Sequence, residues 1–126
     1  MREQFIPYTQ ASELKELGFD EQCFLNWYVP DNSAPILEDV NDDIISNYYI
    51  KAPLWQQAFD WFREKHNLHF EIFNSPMYVH GWKFRTYYIE NNRLRNADVS
   101  EIFDRYEDVK LACLVKLISI VKNLKS

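Results

Sequence analysis

The stretch APLWQQAFDWFREKHNLHFEIF, from Ala52 to Phe73, constrains the fold more than any other part of the chain. Its apolar residues first recur at the spacing of one helix face, at Leu54, Trp55, Ala58, Phe59 and Phe62. Pro53 suits the first helical position and Asn67 suits a left-handed cap. After Asn67 the apolar residues alternate, as in a strand. The pattern predicts a helix over 53–66 and a strand over 68–73, with the large aromatic side chains inside.

The size and composition of the chain indicate one globular domain, residues 1–126, with enough apolar material for a core. Only 2 of the 126 residues are glycine, which leaves little material for phosphate-binding loops or oxyanion turns. The formal net charge of -5 disfavours non-specific binding to nucleic acid, although a local basic patch can override the bulk charge.

Weaker signals flank the central helix. Thr9 suits the cap of a helix over 10–17 that Gly18 ends, and a second apolar stripe predicts a helix over 107–123. Strands are expected over 23–29, 44–50 and 77–89, with a loop over 30–43 and a polar connection over 91–100. The order predicts an α+β fold: a small, mostly antiparallel sheet with about three helices packed on one face.

The two cysteines, Cys23 and Cys113, lie far apart among apolar neighbours. Buried, reduced thiols are favoured over a disulfide. No apolar leader follows Met1 and no apolar run reaches the length of a membrane span. We therefore expect a protein of a reducing cytoplasm, with no membrane partner.

The strongest candidate for a binding surface is the predicted strand and connection from Trp82 to Arg95. It carries four cations and an outward tyrosine among other aromatic residues, and the candidate set is Lys83, Arg85, Tyr87, Arg93 and Arg95. Such a face can hold phosphates and stack unpaired bases. The alternative is an aromatic core face with ordinary surface cations on the other side.

An acidic loop offers the opposite charge. Its candidate residues are Glu38, Asp39, Asp42 and Asp43, which could dock on a basic groove or simply keep the loop solvated.

Metal chemistry has weaker support in the sequence. Two sets could hold a cation: Glu64, His66, His69, Glu71 and His80, and a second set of Asp98, Glu101, Asp104 and Asp108. Neither has the spacing of a metal motif, and the chain has no HExxH, CxxC, GxSxG or Walker sequence. We therefore expect no enzyme, no metal, no cofactor and no small-molecule substrate.

Three blocks of the sequence resemble a family of small, mostly uncharacterised phage and prophage proteins of Bacteroidetes. The blocks are PYTQASELKELGFDEQCF, APLWQQAFDWFREKHNL and YEDVKLACLVKLISIVKN. They resemble three sequence motifs of that family, which have the forms PY-x-x-A-x-ELKELGFDE-x-CF, APL-x-QQAF-x-WFREK and YEEAE-x-ACL-x-KLIEIVK. Val109 and Lys110 replace the Ala-Glu pair of the third motif. Nothing in the family matches residues 31–47 and 74–100, and these two segments include both candidate patches.

The resemblance implies a phage anti-defence role rather than a set of catalytic residues. Small phage proteins without catalytic motifs often inhibit host defence stoichiometrically, and some in these bacteria resemble inhibitors of type VI CRISPR nucleases. The expected function is a non-enzymatic anti-CRISPR inhibitor that binds a host defence protein, its guide RNA, or both. The alternatives are a small metal-dependent nuclease and a structural protein-interaction module.

Overall fold

A computed structural model of the chain describes residues 2–31, 33–39, 49–75 and 81–125. Within those ranges it has three α-helices: α1 (Tyr8–Glu16), α2 (Trp55–His66) and α3 (Tyr106–Lys125). The strands are β1 (Leu25–Tyr28), β2 (Ile36–Glu38), β3 (Tyr49–Ala52), β4 (Leu68–Asn74), β5 (Trp82–Glu90) and β6 (Arg93–Val99). None of these helices combines the length and the apolar character that a membrane crossing demands.

The strands pair into two antiparallel sheets, with strand orders β2-β1-β3 and β4-β5-β6. The α+β class with antiparallel strands and three helices is confirmed. The strands form two sheets rather than one. In the first sheet β1 pairs with both β2 and β3, and in the second β5 pairs with both β4 and β6. The chain groups into two compact units, 1–59 and 60–126, and the boundary falls inside α2. The expectation of a single domain stays a prediction.

In the first unit, α1 packs against β3, and the core includes Ile6, Leu14 and Trp27. The indole N–H of Trp27 donates to the backbone oxygen of Ile6 at 2.8 Å, so the buried ring leaves no unsatisfied donor. Gly18 ends α1 with φ 103°, as expected, and the N–H of Phe19 returns to the oxygen of Leu14 at 3.0 Å.

In the second unit, α3 packs against β4 and β5. Its inward side chains are fully or almost fully buried: Val109, Cys113, Leu114, Leu117, Ile118 and Val121. Burial raises the pKa of the Cys113 thiol to about 12, so the thiol stays protonated. Neither cysteine is in a disulfide; Cys113 is buried, whereas Cys23 is half-buried.

Several expected boundaries are wrong. The first helix begins at Tyr8, with Pro7 at the N-cap, so Thr9 lies inside the helix instead of capping it. The expected loop 30–43 contains β2, and the expected connection 91–100 contains β6. The predicted strands over 44–50 and 77–89 are only partly described, because residues 40–48 and 76–80 lie outside the described residues.

The stripe on the central helix is core in most of its length. Ala58, Phe59 and Phe62 are buried, as predicted, and Trp61 joins them at 4% exposure. Leu54 and Trp55 are half-buried. The indole N–H of Trp55 donates to the backbone oxygen of Glu3 at 3.0 Å, which anchors the start of the helix to the N-terminal turn.

Candidate partner-binding surface

The two faces of β5 have different environments. Phe84 and Thr86 are buried, at 7% and 1% exposure, and Phe84 shares a groove with residues of α3. Because side chains alternate along a strand, Lys83, Arg85 and Tyr87 point to the opposite side of the sheet. The predicted division of this strand into an inner and an outer face is confirmed at Phe84 and Thr86, whereas Trp82, which alternation also places inside, is half-buried.

Strand β4 supplies the neighbours of these outward side chains. Glu71 lies directly opposite Arg85, and His69 lies directly opposite Tyr87. Directly opposed residues of an antiparallel pair present their side chains on the same face, within contact distance. We call the surface formed by His69, Glu71, Lys83, Arg85 and Tyr87 the open face.

Glu71 is the centre of the hydrogen bonding on the open face. The Nη2 atom of Arg85 donates to both carboxylate oxygens of Glu71, at 2.8 Å each. The hydroxyl of Tyr87 donates to Oε1 of the same carboxylate at 3.3 Å. The charge of Arg85 is therefore offset by Glu71, and both side chains of β5 are held in one arrangement.

The rings on the open face form a row. His69 and Tyr87 stack with centroids 5.5 Å apart and planes inclined by 13°. The guanidinium carbon of Arg85 lies 5.4 Å from the centroid of the Tyr87 ring. Asn67 supports the end of the row, because its Oδ1 lies 3.0 Å from Nε2 of His69 and its Nδ2 donates to the oxygen of Ile89 at 2.7 Å.

The left-handed backbone of Asn67, at φ 54°, confirms the predicted cap and places this amide beside the row. Partial burial raises the pKa of Tyr87 above its ordinary value, and the Glu71 carboxylate raises it further. Tyr87 is therefore a neutral donor to Glu71 at physiological pH.

The structure separates the five residues of the predicted basic surface. Arg93 lies opposite Glu90, and Arg95 lies opposite Tyr88. Both arginines therefore share the face of Tyr88, not the open face that carries Arg85 and Tyr87. The two-residue turn at Asn91 and Asn92, which joins β5 to β6, sets this register.

Two of the four cations already have carboxylate partners. Glu71 holds Arg85, and Arg95 lies 3.8 Å from Glu90 in an exposed ion pair. Lys83 and Arg93 have no ion pair within the part of the chain that the structure describes. The continuous basic strip that the sequence suggested is therefore absent from the described surface.

The acidic candidates are only partly described. Glu38 is half-buried at the end of β2, opposite Asn26, so it belongs to a strand and not to a loop as expected. Asp39 is exposed. Asp42 and Asp43 lie outside the described residues, so their part of the prediction stays a prediction.

The first candidate metal set is dispersed. His66 packs against the ring of Trp61 with centroids 4.9 Å apart, whereas His69 stacks on Tyr87. Glu64 lies 3.9 Å from Arg63, and His80 lies outside the described residues. Across the described ranges, no three His, Cys, Asp or Glu side chains group as metal ligands would.

The second acidic set is also divided. Asp98 pairs with Lys116 at 3.0 Å, while Glu101, Asp104 and Asp108 are exposed.

Sequence reasoning identified Tyr87 and Arg85 as outward neighbours but missed the roles of His69 and Glu71, which it treated only as metal candidates. Their alternation along β4 was a usable signal, since it places both on the polar side of that strand.

Comparison of the chain with protein-family models, curated proteins and solved structures finds no match in any of the three.

Proposed function

We propose that this protein is a non-enzymatic binding protein that docks a protein partner on the open face. The observation that carries the proposal is the fixed row of side chains around Glu71, which holds Arg85 and Tyr87 while the Tyr87 ring stacks on His69. Tyrosine and arginine are enriched among the residues that dominate protein interfaces. Side chains that are already ordered lose less conformational entropy on binding, which favours affinity.

A protein partner fits the open face better than RNA does. Single-stranded RNA is usually held by a positively charged groove with free aromatic rings. On the open face the charge of Arg85 is offset by Glu71, and the Tyr87 ring already stacks on His69. The exposed Arg93 and Arg95 lie on the opposite side of the sheet.

The target class that we propose is a host defence protein, with the effector nuclease of a type VI CRISPR system as the first candidate. The support for this choice is the resemblance of three sequence blocks to phage and prophage proteins of Bacteroidetes. An anti-CRISPR inhibitor of this kind would act in the cytoplasm of the bacterial host, by occupying the effector rather than by catalysis.

The direct test is titration calorimetry of the protein against a purified type VI effector loaded with guide RNA. We expect one molecule of the protein to bind each effector. Tyr87→Ala should weaken the affinity for the effector by at least about 30-fold, the loss typical of a dominant interface residue. Lys83→Glu should weaken binding as well, since it adds a second carboxylate beside Glu71.

Tyr106→Ala is the matched control, because Tyr106 is a 43% exposed tyrosine on α3 that lies outside the open face. Its affinity should stay within about threefold of wild type. Absence of binding would contradict the proposed target. Binding to the free guide RNA that survives Tyr87→Ala would contradict the protein-docking proposal and transfer the function to RNA recognition.

A further inference from the structure

Strand β6 is an edge of the second sheet, and all seven of its residues are exposed. Ser100 donates its N–H to the oxygen of Phe84 at 2.9 Å, so the backbone groups of the preceding residue, Val99, point away from β5. At the other end, Glu90 and Arg93 close the two-residue turn as a hydrogen-bonded pair, so Leu94 also directs its N–H and C=O outward. The edge thus offers two outward-facing backbone positions.

A bulge makes this edge symmetrical about its centre. Thr86 lies opposite Asp98 and Tyr88 lies opposite Arg95, so two β6 residues, 96 and 97, share the position across from Tyr87. Asn96 has φ 54°, as the extra residue of such a bulge often does. Counted outward from the bulge, the edge reads Arg95 then Leu94 in one direction and Asp98 then Val99 in the other.

The faces of these residues follow the same symmetry. Leu94 and Val99 lie opposite Ile89 and Arg85, which places both on the open-face side of the sheet. They are large apolar side chains at 49% and 52% exposure. Arg95 and Asp98 share the other side.

We propose that β6 is a homodimerisation edge that pairs antiparallel with β6 of a second copy about a two-fold axis through the bulge. Reversal of the strand places Leu94 opposite Val99 of the second copy, both with outward backbone groups that can exchange hydrogen bonds. The same register places Arg95 opposite Asp98 of the second copy. An apolar pair and an ion pair therefore form twice, and the two sheets join into one sheet of six strands.

The charges of the edge select this partner over others. Exposed edges are commonly guarded by charged side chains and bulges, which deter pairing with unrelated strands. A parallel alignment of two copies would place like charges together, whereas the antiparallel alignment brings unlike charges together. Within one copy, Arg95 pairs with Glu90 at 3.8 Å and Asp98 pairs with Lys116 at 3.0 Å. Both ion pairs are exposed, so replacing them with ion pairs to the second copy costs little free energy.

The edge is short, so its interface is smaller than the roughly 1,600 Å² of a standard stable complex. We therefore expect dimerisation in the micromolar range, on the order of 10–100 µM. Sedimentation velocity of the full chain from about 1 µM to about 1 mM spans that range and should show a monomer giving way to a dimer.

Two charge reversals test the register. Arg95→Glu and Asp98→Arg should each abolish the dimer, because each places like charges opposite one another in both halves of the interface. An equimolar mixture of the two variants should dimerise again, since every pair across the mixed interface is then of unlike charge. Val99→Pro should also give a monomer, as it removes an outward N–H to which none of the strands in the described ranges pairs.

Arg105→Glu is the control, because it makes the same charge change at an exposed cation outside β6. It should leave the association unchanged. A monomer at every concentration would overturn the proposal. So would a dimer that both charge reversals leave intact, since that dimer must form through another surface.

Discussion

Phe59 and Phe24 have the same side chain, but one is buried and the other is exposed to solvent. Phe59 is 4% exposed on the inner face of α2, whereas Phe24 is 75% exposed just before β1. Truncating a buried aromatic side chain removes its transfer free energy and leaves a cavity that the neighbours fill only in part. Truncating an exposed ring does neither.

We therefore expect Phe59→Ala to lower the free energy of unfolding by about 3–5 kcal/mol. Phe24→Ala should change it by no more than about 0.5 kcal/mol. Urea denaturation of the two variants beside wild type measures both values. Similar losses in the two variants would show that the α2 stripe is not core.

At the residue scale, the candidate site was only half predictable. Strand alternation was enough to place Tyr87 outward beside Arg85. It could not show that Glu71 holds both, because that contact depends on the register between β4 and β5. The register depends on the length of the connection between those strands, SPMYVHG, and the turn signal Asn74-Ser75-Pro76 predicts a turn without fixing that length.

Backbone positions with positive φ control two element boundaries. Gly18 ends α1 at φ 103°, and Asn92 completes the turn between β5 and β6 at φ 63°. A side chain with a Cβ is costly in the left-handed region, while asparagine tolerates it and glycine enters it freely. Substitutions at the two positions should therefore have different effects on the free energy of unfolding.

Gly18→Ala should destabilise the protein by roughly 1–2 kcal/mol, because alanine must adopt the left-handed conformation that ends α1. Asn92→Gly should leave the unfolding free energy within about 0.5 kcal/mol of wild type, since glycine suits the second position of this turn. Thermal melts monitored by circular dichroism compare the two. A tolerated Gly18→Ala variant would contradict the described end of α1.

At the element scale, helices were easier to predict than strands. The apolar stripes of α2 and α3 extend over several turns, and Gly18 marks the end of α1 in the sequence itself. Strand β6 was missed because its residues are all exposed and two of its seven are arginine, so it has no apolar alternation. The Asn91-Asn92 pair was the available signal, since a two-residue turn with positive φ at both positions joins hairpin strands.

At the scale of the whole molecule, a chain with a net charge of -5 carries an open face whose main cation is offset by a carboxylate. Binding there should depend on ring and arginine contacts more than on long-range attraction. The affinity for the partner should accordingly change little with salt, unlike that of a phosphate-binding surface.

Hydrogen exchange of the protein with and without the guide-loaded type VI effector tests the central claim most directly. Backbone amides of β4 and β5 should gain protection in the complex, while those of α1 and β1 should exchange as in the free protein. Protection confined to residues 36–39 and 40–43, with β4 and β5 unchanged, would contradict the account and identify the acidic segment as the docking surface.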